Sequence, residues 1–415
     1  MGLKKHLLRV LKCGSQRSFC TKQPVRRKRV SHKMAIANFF LENNLSPILQ
    51  HLPRQYLKVR KAGSPESLYL VCPKTAKTIA SYVKAAFEEN QDQIIAETNA
   101  GLGLIATELL DSGVRPVRLY EPCPDFRLEL KDFGKVYTGQ VELFTKDIFH
   151  LHRYSYMDQR DSLNRVQTLL KNVPKKSWKD DPVMTIVGSM PRLTFLMYLV
   201  KCLCLQYDTA RYGRFQMFAI IRPRHYAILN ATKQDVLTAY QPWTVLYNLL
   251  FDYELLEKFP RKVFLPWETA LRQTLLTRYP ANLEPDKMYL VKINFKKELP
   301  LDVEHLLKFF YYVKHFFGRG ANRVIPVVEK WIPGSGLNIM LPKLKHDDFF
   351  DEVDIFTQFR ELTPTQLLAV FKELLNYPSF ANSPFTAMIE DDLVKKETME
   401  TSLNEATPQG KNMTK

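Results

Sequence analysis

Polar or glycine residues follow four apolar runs in the first half of the chain. A turn containing Gly101 and Gly103 comes after the run 94–96 and Glu97, and a helical pattern follows the turn. Three later runs are each followed by a polar side chain: Glu121, Asp147 and Ser189. Carboxylate and hydroxyl oxygens accept hydrogen bonds from hydroxyl and amino groups, and glycine lets a ligand approach the backbone. The pattern predicts a site for a small polar ligand.

The elements that must position these residues alternate between strand and helix. The predicted strands are 94–96, 117–120, 136–144, 183–187, 215–221 and 288–295, and the predicted helices include 35–52, 73–89 and 104–110. This alternation predicts an α/β fold with a mostly parallel, Rossmann-like sheet. Ligands of such sheets bind beyond the carboxyl ends of the strands, so the four sites are expected around one crevice. Residues 151–181 interrupt the alternation and are interpreted as an insertion or a long loop.

The two acids favour a ligand that contains adenosine. An acid at the end of the second strand can accept hydrogen bonds from both ribose hydroxyls, and an Asp after the third strand can accept one from the adenine amino group. Because no phosphate-binding lysine follows the turn, S-adenosylmethionine is favoured over ATP. Either acid alone is equally explained as a solvated loop carboxylate.

The positive charge of the chain is concentrated at its amino end. The formal net charge is +17, but residues 1–33 contain eleven Lys or Arg and no acid, and the remainder carries only about +6. An acid-free segment that mixes basic and apolar residues is typical of a mitochondrial presequence. The alternatives are a basic arm that binds nucleic acid or anionic lipid, and a nuclear signal at residues 26–29.

The sequence predicts neither a metal site nor a membrane span. The six cysteines include no Cys-x-x-Cys pair, and the histidines are scattered, so no metal site is expected. The apolar run 193–205 contains Lys201, and no run reaches the length of a membrane span. A soluble protein of a reducing compartment is expected.

The carboxyl-terminal part changes to a helical pattern. Residues 303–316 are rich in aromatic residues at helical spacing, which indicates a buried helix more than a base-stacking surface. The predicted organisation is a presequence (1–33), a helix and connector (34–68), an α/β domain (69–297), a smaller helical domain (298–392) and a mobile tail (393–415).

Several motifs resemble those of the ribosomal RNA adenine dimethyltransferases, and within them the mitochondrial transcription factor B proteins. The family signature Glu-Ile-Gly-Pro-Gly-x-Gly is similar to residues 97–103, with Asn99 and Ala100 in place of Gly and Pro. Further similarity lies at residues 119–121, 146–149, 211–215 and 314–319, so the resemblance covers about residues 69–392.

The resemblance implies a seven-stranded S-adenosylmethionine-dependent methyltransferase sheet with a smaller helical domain. Leu70, at the leucine of the family's Gln-Asn-Phe-Leu segment, is then expected to bind the cofactor. The other expected cofactor residues are Glu97, Gly101, Gly103, Glu121 and Asp147.

The chain departs from the family at the methylating motif, Asn-Leu/Ile-Pro-Tyr/Phe. Pro191 is retained, but Ser189 stands at the Asn position and Arg192 at the aromatic position. In the family the Asn holds the adenine amino group while the aromatic ring stacks on the flipped-out base. Losing one such placed group lowers a rate roughly 10²- to 10³-fold, so efficient dimethylation is not expected. Phe195 is a candidate substitute for the ring.

This departure resembles the branch of the family that acts in transcription. The resemblance implies a mitochondrial matrix and nucleoid protein that joins the mitochondrial RNA polymerase at promoter DNA and holds the melted strands. The candidate nucleic-acid contacts are Arg211, Arg214, Arg319 and Arg323, each of which has an alternative interpretation as a solvated charge. The alternative functions are dimethylation of adjacent adenines in small-subunit ribosomal RNA and, more remotely, nuclear RNA binding.

Overall fold

The computed structural model describes residues 32–59, 67–235, 239–268, 283–317, 322–340 and 353–405. The predicted presequence lies almost entirely outside these residues. The strands in the described part of the chain are β1 (Tyr69–Leu70), β2 (Ile94–Thr98), β3 (Val117–Tyr120), β4 (Val141–Phe144), β5 (Met184–Ser189), β6 (Phe215–Ile221), β7 (Phe251–Pro260), β8 (Phe264–Leu265) and β9 (Lys287–Phe295).

Seven of these strands form the central sheet, in the order β4-β3-β2-β5-β6-β9-β7. The first five are parallel, whereas β9 runs antiparallel to both of its neighbours. β1 and β8 form a separate antiparallel pair. The α/β class and the seven-stranded sheet expected from the sequence are confirmed.

The helices precede, connect and follow these strands. They are α1 (His32–Glu42), α2 (Ser46–Leu49), α3 (Pro73–Glu89), α4 (Leu104–Asp111), α5 (Pro124–Val136), α6 (Leu151–Asp161), α7 (Arg165–Leu169), α8 (Thr194–Leu205), α9 (Pro223–Leu229), α10 (Pro242–Leu250), α11 (Val303–Tyr312), α12 (Val324–Trp331), α13 (Ser335–Met340), α14 (Pro364–Leu375) and α15 (Pro384–Glu405). Within the described residues no helix is long and apolar enough to cross a membrane.

The central strands are buried on both faces, which explains their continuous apolar sequences. Ile186 and Val187 are neighbours in β5 and both are fully buried, but they belong to different core clusters. Successive side chains of a strand point to opposite faces, so one cluster lies on each side of the sheet. One cluster includes residues of α3, α4 and α5, and the other continues into α11, α12, α14 and α15.

The predicted aromatic helix is a core element. Phe309, Phe310, Tyr311 and Tyr312 are all buried in the cluster that also contains sheet residues. The interpretation as core is therefore confirmed for these four rings. The helical part and the sheet share one continuous apolar core, and the boundary at residue 298 remains a prediction.

Several predicted boundaries were wrong for local reasons. β4 begins at Val141 rather than at residue 136, because α5 starts at Pro124 and continues through Val136. The predicted loop 151–181 contains α6 and α7. The predicted helix 35–52 is two helices, and Asn44 between them has a left-handed φ of 55°. α15 continues past residue 393, where the mobile tail is predicted to begin, and the mobility of that tail stays a prediction.

Candidate functional site

The glycine turn connects β2 to α4 through a chain of left-handed residues. Asn99, Gly101 and Gly103 have φ values of 52°, 59° and 70°, a conformation that glycine adopts without steric cost. The Glu97 Oε2 atom accepts a hydrogen bond from the backbone N–H of Ala106 in α4 at 2.9 Å. Glu97 is buried, and its burial raises the pKa to about 8. Glu97 therefore fixes the shape of the turn from behind.

Glu121 lies directly beyond β3 and contacts the turn. Its Oε2 atom accepts from the Gly101 backbone N–H at 2.8 Å, and its Oε1 atom accepts from the Cys123 N–H at 2.7 Å. The Tyr69 hydroxyl also donates to Oε1 at 3.2 Å. Glu121 is fully buried, and burial raises its pKa to about 7 against the opposing effect of these donors.

Asp147 follows β4 and contacts the residues before the turn. Its Oδ1 atom accepts from the Thr98 hydroxyl at 2.6 Å and from the Phe149 backbone N–H at 2.8 Å. Its Oδ2 atom has only longer contacts, to Asn99 Nδ2 at 3.3 Å and His150 Nδ1 at 3.4 Å. The structure thus brings the glycine turn, Glu121 and Asp147 together at the carboxyl ends of β2, β3 and β4. We call this place the strand-end crevice.

Ser189 is the last residue of β5 and is turned toward the protein interior. Its Oγ atom donates to the Leu68 carbonyl at 2.6 Å, and the residue is 3% exposed. Pro191 is buried next to it, whereas Arg192 is exposed. Phe195 is fully buried and packs on Phe149 with ring centroids 5.1 Å apart. Phe195 is therefore core, and the prediction that its ring stacks on a base is not supported.

Three aromatic rings pack together beside the glycine turn of the strand-end crevice. Tyr69 lies 4.8 Å from Tyr56 and 4.5 Å from Phe126, measured between ring centroids. A Cβ atom built on Gly101 would lie 3.0 Å from Tyr69 Cδ1, so this ring rests directly on the turn. We call Tyr56, Tyr69 and Phe126 the aromatic cover. Leu70, next to Tyr69, is half-buried and pairs with Phe264 of β8.

The acceptors in the crevice suit an adenosyl group. The Oδ1 atom of Asn99 is buried and finds no hydrogen-bond donor within the described part of the chain. Glu121 Oε2 has one donor, and Asp147 Oδ2 has only long contacts, although a carboxylate oxygen can accept two hydrogen bonds. Hydroxyl and amino groups of a ligand would satisfy these oxygens.

The four predicted nucleic-acid contacts have different positions. Arg214 is buried, and its guanidinium donates to the carbonyls of Trp178, Phe295 and Asp180 at 2.9, 3.1 and 2.7 Å. We therefore correct its assignment from nucleic-acid contact to fold stabilisation.

Of the other three arginines, two lie within the described residues. Arg211 is exposed but precedes β6, so it lies near the amino ends of the parallel strands, whereas the crevice lies at their carboxyl ends. Arg323 is exposed and lies 5.1 Å over the ring of Phe356. Arg319 lies outside the described residues.

A basic cluster lies near residues 189–192, the altered methylating motif, and was missed by the sequence analysis. Arg222 follows β6 and forms a two-pronged ion pair with Glu268, with Nη1 to Oε2 at 2.9 Å. His225 is buried beside it, and burial together with the charges of Arg224, Arg222 and Arg192 lowers its pKa to about 3. Only the cluster of arginines around the end of β6 in the sequence hinted at this site.

Within the described residues no group of His, Cys, Asp or Glu side chains is arranged to hold a metal ion. No protein-family model matches the sequence.

Two mitochondrial proteins are similar to this chain over most of its length. Mitochondrial dimethyladenosine transferase 2 of Drosophila melanogaster is 27% identical over 404 residues, which cover 89% of both chains. The human protein of that name is 24% identical over 319 residues, covering 73% of this chain and 77% of its own. The chain is a homologue of the mitochondrial dimethyladenosine transferase 2 proteins. The resemblance to mitochondrial members of the adenine dimethyltransferase family that the motifs predicted is thereby confirmed.

Two solved methyltransferase structures are similar to this chain at low identity. An rRNA methylase from Streptococcus thermophilus is 11% identical with a TM-score of 0.25, covering 54% of this chain and 94% of its own. Magnesium protoporphyrin IX methyltransferase from Synechocystis, with bound S-adenosylhomocysteine, is 10% identical with a TM-score of 0.27, covering 64% and 100%. The strand order of the central sheet defines the fold independently of these structures.

Proposed function

We propose that this dimethyladenosine transferase 2 homologue is a mitochondrial transcription initiation factor built on a methyltransferase fold. In this role it joins the mitochondrial RNA polymerase at promoter DNA in the matrix nucleoid and holds the melted strands. The observation that carries the proposal is the state of the tetrapeptide 189–192. Its Ser189 hydroxyl is committed to the Leu68 carbonyl, and an exposed Arg192 stands where the family has an aromatic ring.

This arrangement lacks a placed acceptor for the adenine amino group and adds a cation that can bind phosphate. The amino nitrogen of adenine must be held by placed acceptors, whereas the Ser189 hydroxyl is 3% exposed and lies against the buried Leu68 carbonyl, and it has a shorter reach than an Asn side chain. The exposed cation of Arg192 attracts phosphates, and the buried ion pair of Arg222 with Glu268 supports the backbone beside it. We infer that nucleic acid is bound at this face without efficient chemistry.

We further propose that the strand-end crevice retains S-adenosylmethionine. Glu121 would accept from the ribose hydroxyls, Asp147 from the adenine amino group, and the Gly101–Gly103 turn would pass along the ligand, with Leu70 beside it. When bound, the cofactor supplies an electrophilic methyl group. The residues of this chain bind and orient it, and the aromatic cover excludes water from it.

Location and processing belong to the same proposal. The relatives are named mitochondrial, and residues 1–33 have the composition of an import sequence. We propose that this segment directs the protein to the matrix, that residues 69–297 form the methyltransferase-like domain and that residues 298–392 form the helical domain.

Dimethylation of small-subunit ribosomal RNA is the second candidate. The retained carboxylates of Glu121 and Asp147 favour it, as do the names of the relatives. It differs from the first candidate in requiring turnover of the cofactor.

Promoter-dependent run-off transcription with purified mitochondrial RNA polymerase tests the first candidate. Addition of this protein is expected to stimulate specific transcripts from a supercoiled template, and Arg192→Ala is expected to reduce the stimulation about 5-fold through one lost phosphate contact. Lys131→Ala, which removes an exposed cation on α5, is the matched control. Absence of stimulation by the parent protein would refute the proposal.

A further inference from the structure

A polar concavity of about 990 Å³ lies at the amino ends of β5 and β6. Its walls are the end of α6, helix α7, residues 170–175 and residues 206–212. In a set of parallel strands, all amino ends lie on one side of the sheet and all carboxyl ends lie on the other side. The concavity is therefore across the sheet from the strand-end crevice and separate from it.

Three exposed cations line this concavity, which we call the basic basin: Lys171, Lys175 and Arg211. Among the lining residues the structure shows one carboxylate, that of Asp158. Asp158 accepts from Arg165 Nη1 at 3.0 Å and from the Val166 backbone N–H at 2.9 Å. Arg165 also pairs with Asp161, so its charge is shared between two acids. The wall segments 155–175 and 206–212 together contain five basic and three acidic residues, and the basin therefore carries a net positive charge.

The remaining walls of the basic basin are rich in neutral hydrogen-bonding groups. Ser162, Asn164 and Asn172 supply hydroxyl and amide groups, and Tyr212 adds a ring that lies 5.9 Å from Lys175 Nζ. Lysine, arginine, serine and asparagine side chains are the groups that contact phosphate and sugar in nucleic-acid complexes. An apolar partner surface would instead require an apolar wall.

We propose that the basic basin binds the phosphate backbone of a nucleic-acid strand, as a second contact surface across the sheet from the tetrapeptide. The inference rests on the proposed function for the class of its ligand. Three cations around one concavity hold a flexible backbone at several phosphates, while the amide and hydroxyl groups contact sugars and base edges. Binding of this kind is independent of sequence and depends on salt.

Fluorescence anisotropy of a labelled single-stranded DNA of mixed sequence, about 24 nucleotides long, tests the proposal. The full chain is compared with the triple variant Lys171→Gln, Lys175→Gln, Arg211→Gln. Each lost phosphate contact lowers the slope of log K against log salt by about 0.7, or about 5-fold in affinity at roughly 0.1 M salt. The triple variant is expected to bind about 100-fold more weakly, with a slope smaller by about 2.

The matched control is Lys131→Gln, Lys330→Gln, Lys372→Gln, which removes the same charge from exposed positions on α5, α12 and α14. It is expected to bind within about 3-fold of the parent. Equal losses in both variants, or no loss in the basin variant, would overturn the proposal. Circular dichroism melting of both variants checks that they remain folded.

A second readout separates nucleic acid from an acidic protein surface as the occupant. Photocrosslinking with a 4-thiothymidine oligonucleotide is expected to label residues 155–175 of the parent. A basin variant that keeps DNA affinity but loses retention of the polymerase would show a protein-binding surface and contradict the proposal. If the parent itself binds no oligonucleotide, the proposed function fails at its DNA contact, whereas equal binding by parent and basin variant defeats only this inference.

Discussion

The Tyr69 hydroxyl donates a hydrogen bond to Glu121 Oε1 at 3.2 Å, and both residues are buried. Glu121 is the proposed acceptor for the ribose hydroxyls, and Tyr69 belongs to the aromatic cover that contacts it. The chain therefore contributes its own hydroxyl group to a carboxylate that is expected to receive hydroxyl groups from a ligand. Variants of Glu121 and Tyr69 are therefore expected to differ in their affinity for S-adenosylmethionine.

Glu121→Ala is expected to weaken S-adenosylmethionine binding at least about 10-fold, because both ribose hydrogen bonds are lost. Tyr69→Phe removes only the competing hydroxyl and keeps the ring, so its binding is expected to equal or exceed that of the parent. Isothermal titration calorimetry measures both. Loss of binding in Tyr69→Phe together with retention in Glu121→Ala would place the cofactor elsewhere.

Stability is expected to depend on pH through Glu97. Its pKa is raised from 4.5 to about 8 by burial, so the folded state keeps a proton that the unfolded state releases. This contribution to stability is complete below pH 4.5 and is lost as the pH rises through 8, with a slope of up to about 1.4 kcal/mol per pH unit.

Urea denaturation between pH 5 and 8 measures this dependence. Glu97→Gln keeps an oxygen for the Ala106 N–H and cannot ionise, so its unfolding free energy should fall less steeply with pH than that of the parent. Parallel pH profiles for the two proteins would exclude Glu97 as the titrating group.

Arg214 and Arg211 are close in sequence and differ in role. Arg214→Ala leaves three backbone carbonyls without their donor, and is expected to lower the unfolding free energy by about 3 kcal/mol or more. Arg211→Ala removes an exposed side chain and is expected to change it by no more than about 0.5 kcal/mol. Chemical denaturation of the two variants tests the difference, and equal stabilities would argue against the fold-stabilising role of Arg214.

His225 provides a separate test on the acid side. Its pKa is lowered to about 3, so its neutral form stabilises the fold above pH 6.5 and this stabilisation is lost as the pH falls toward 3. Replacement by Asn, which is neutral throughout, is expected to flatten the stability profile between pH 6.5 and 4. An unchanged acid limb in that variant would assign the transition to other groups.

The sequence predicted those features that depend on neighbouring residues. β2, β3 and β5 are apolar runs buried on both faces, and Glu121 and Asp147 were found because each adjoins a strand end. β7 was missed because exposed polar residues such as Asp252 interrupt its apolar residues at the edge of the sheet.

Features that join distant residues could not be predicted in this way. The Tyr69–Glu121 hydrogen bond spans 52 positions and the Arg222–Glu268 pair spans 46. The burial of Arg214 is equally invisible in a run that also contains the exposed Arg211. Such pairings are set by tertiary packing, which periodicity along the chain does not encode.

We infer that a cofactor-binding crevice persists beside a tetrapeptide, residues 189–192, that no longer supports methyl transfer. Transfer of labelled methyl groups from S-adenosylmethionine to a small-subunit ribosomal stem-loop measures this directly, with a motif-intact relative as the reference. We predict a rate at least about 100-fold below that of the reference, because Ser189 and Arg192 replace the amide and the ring. A rate comparable to the reference would contradict the claim and establish the enzyme instead.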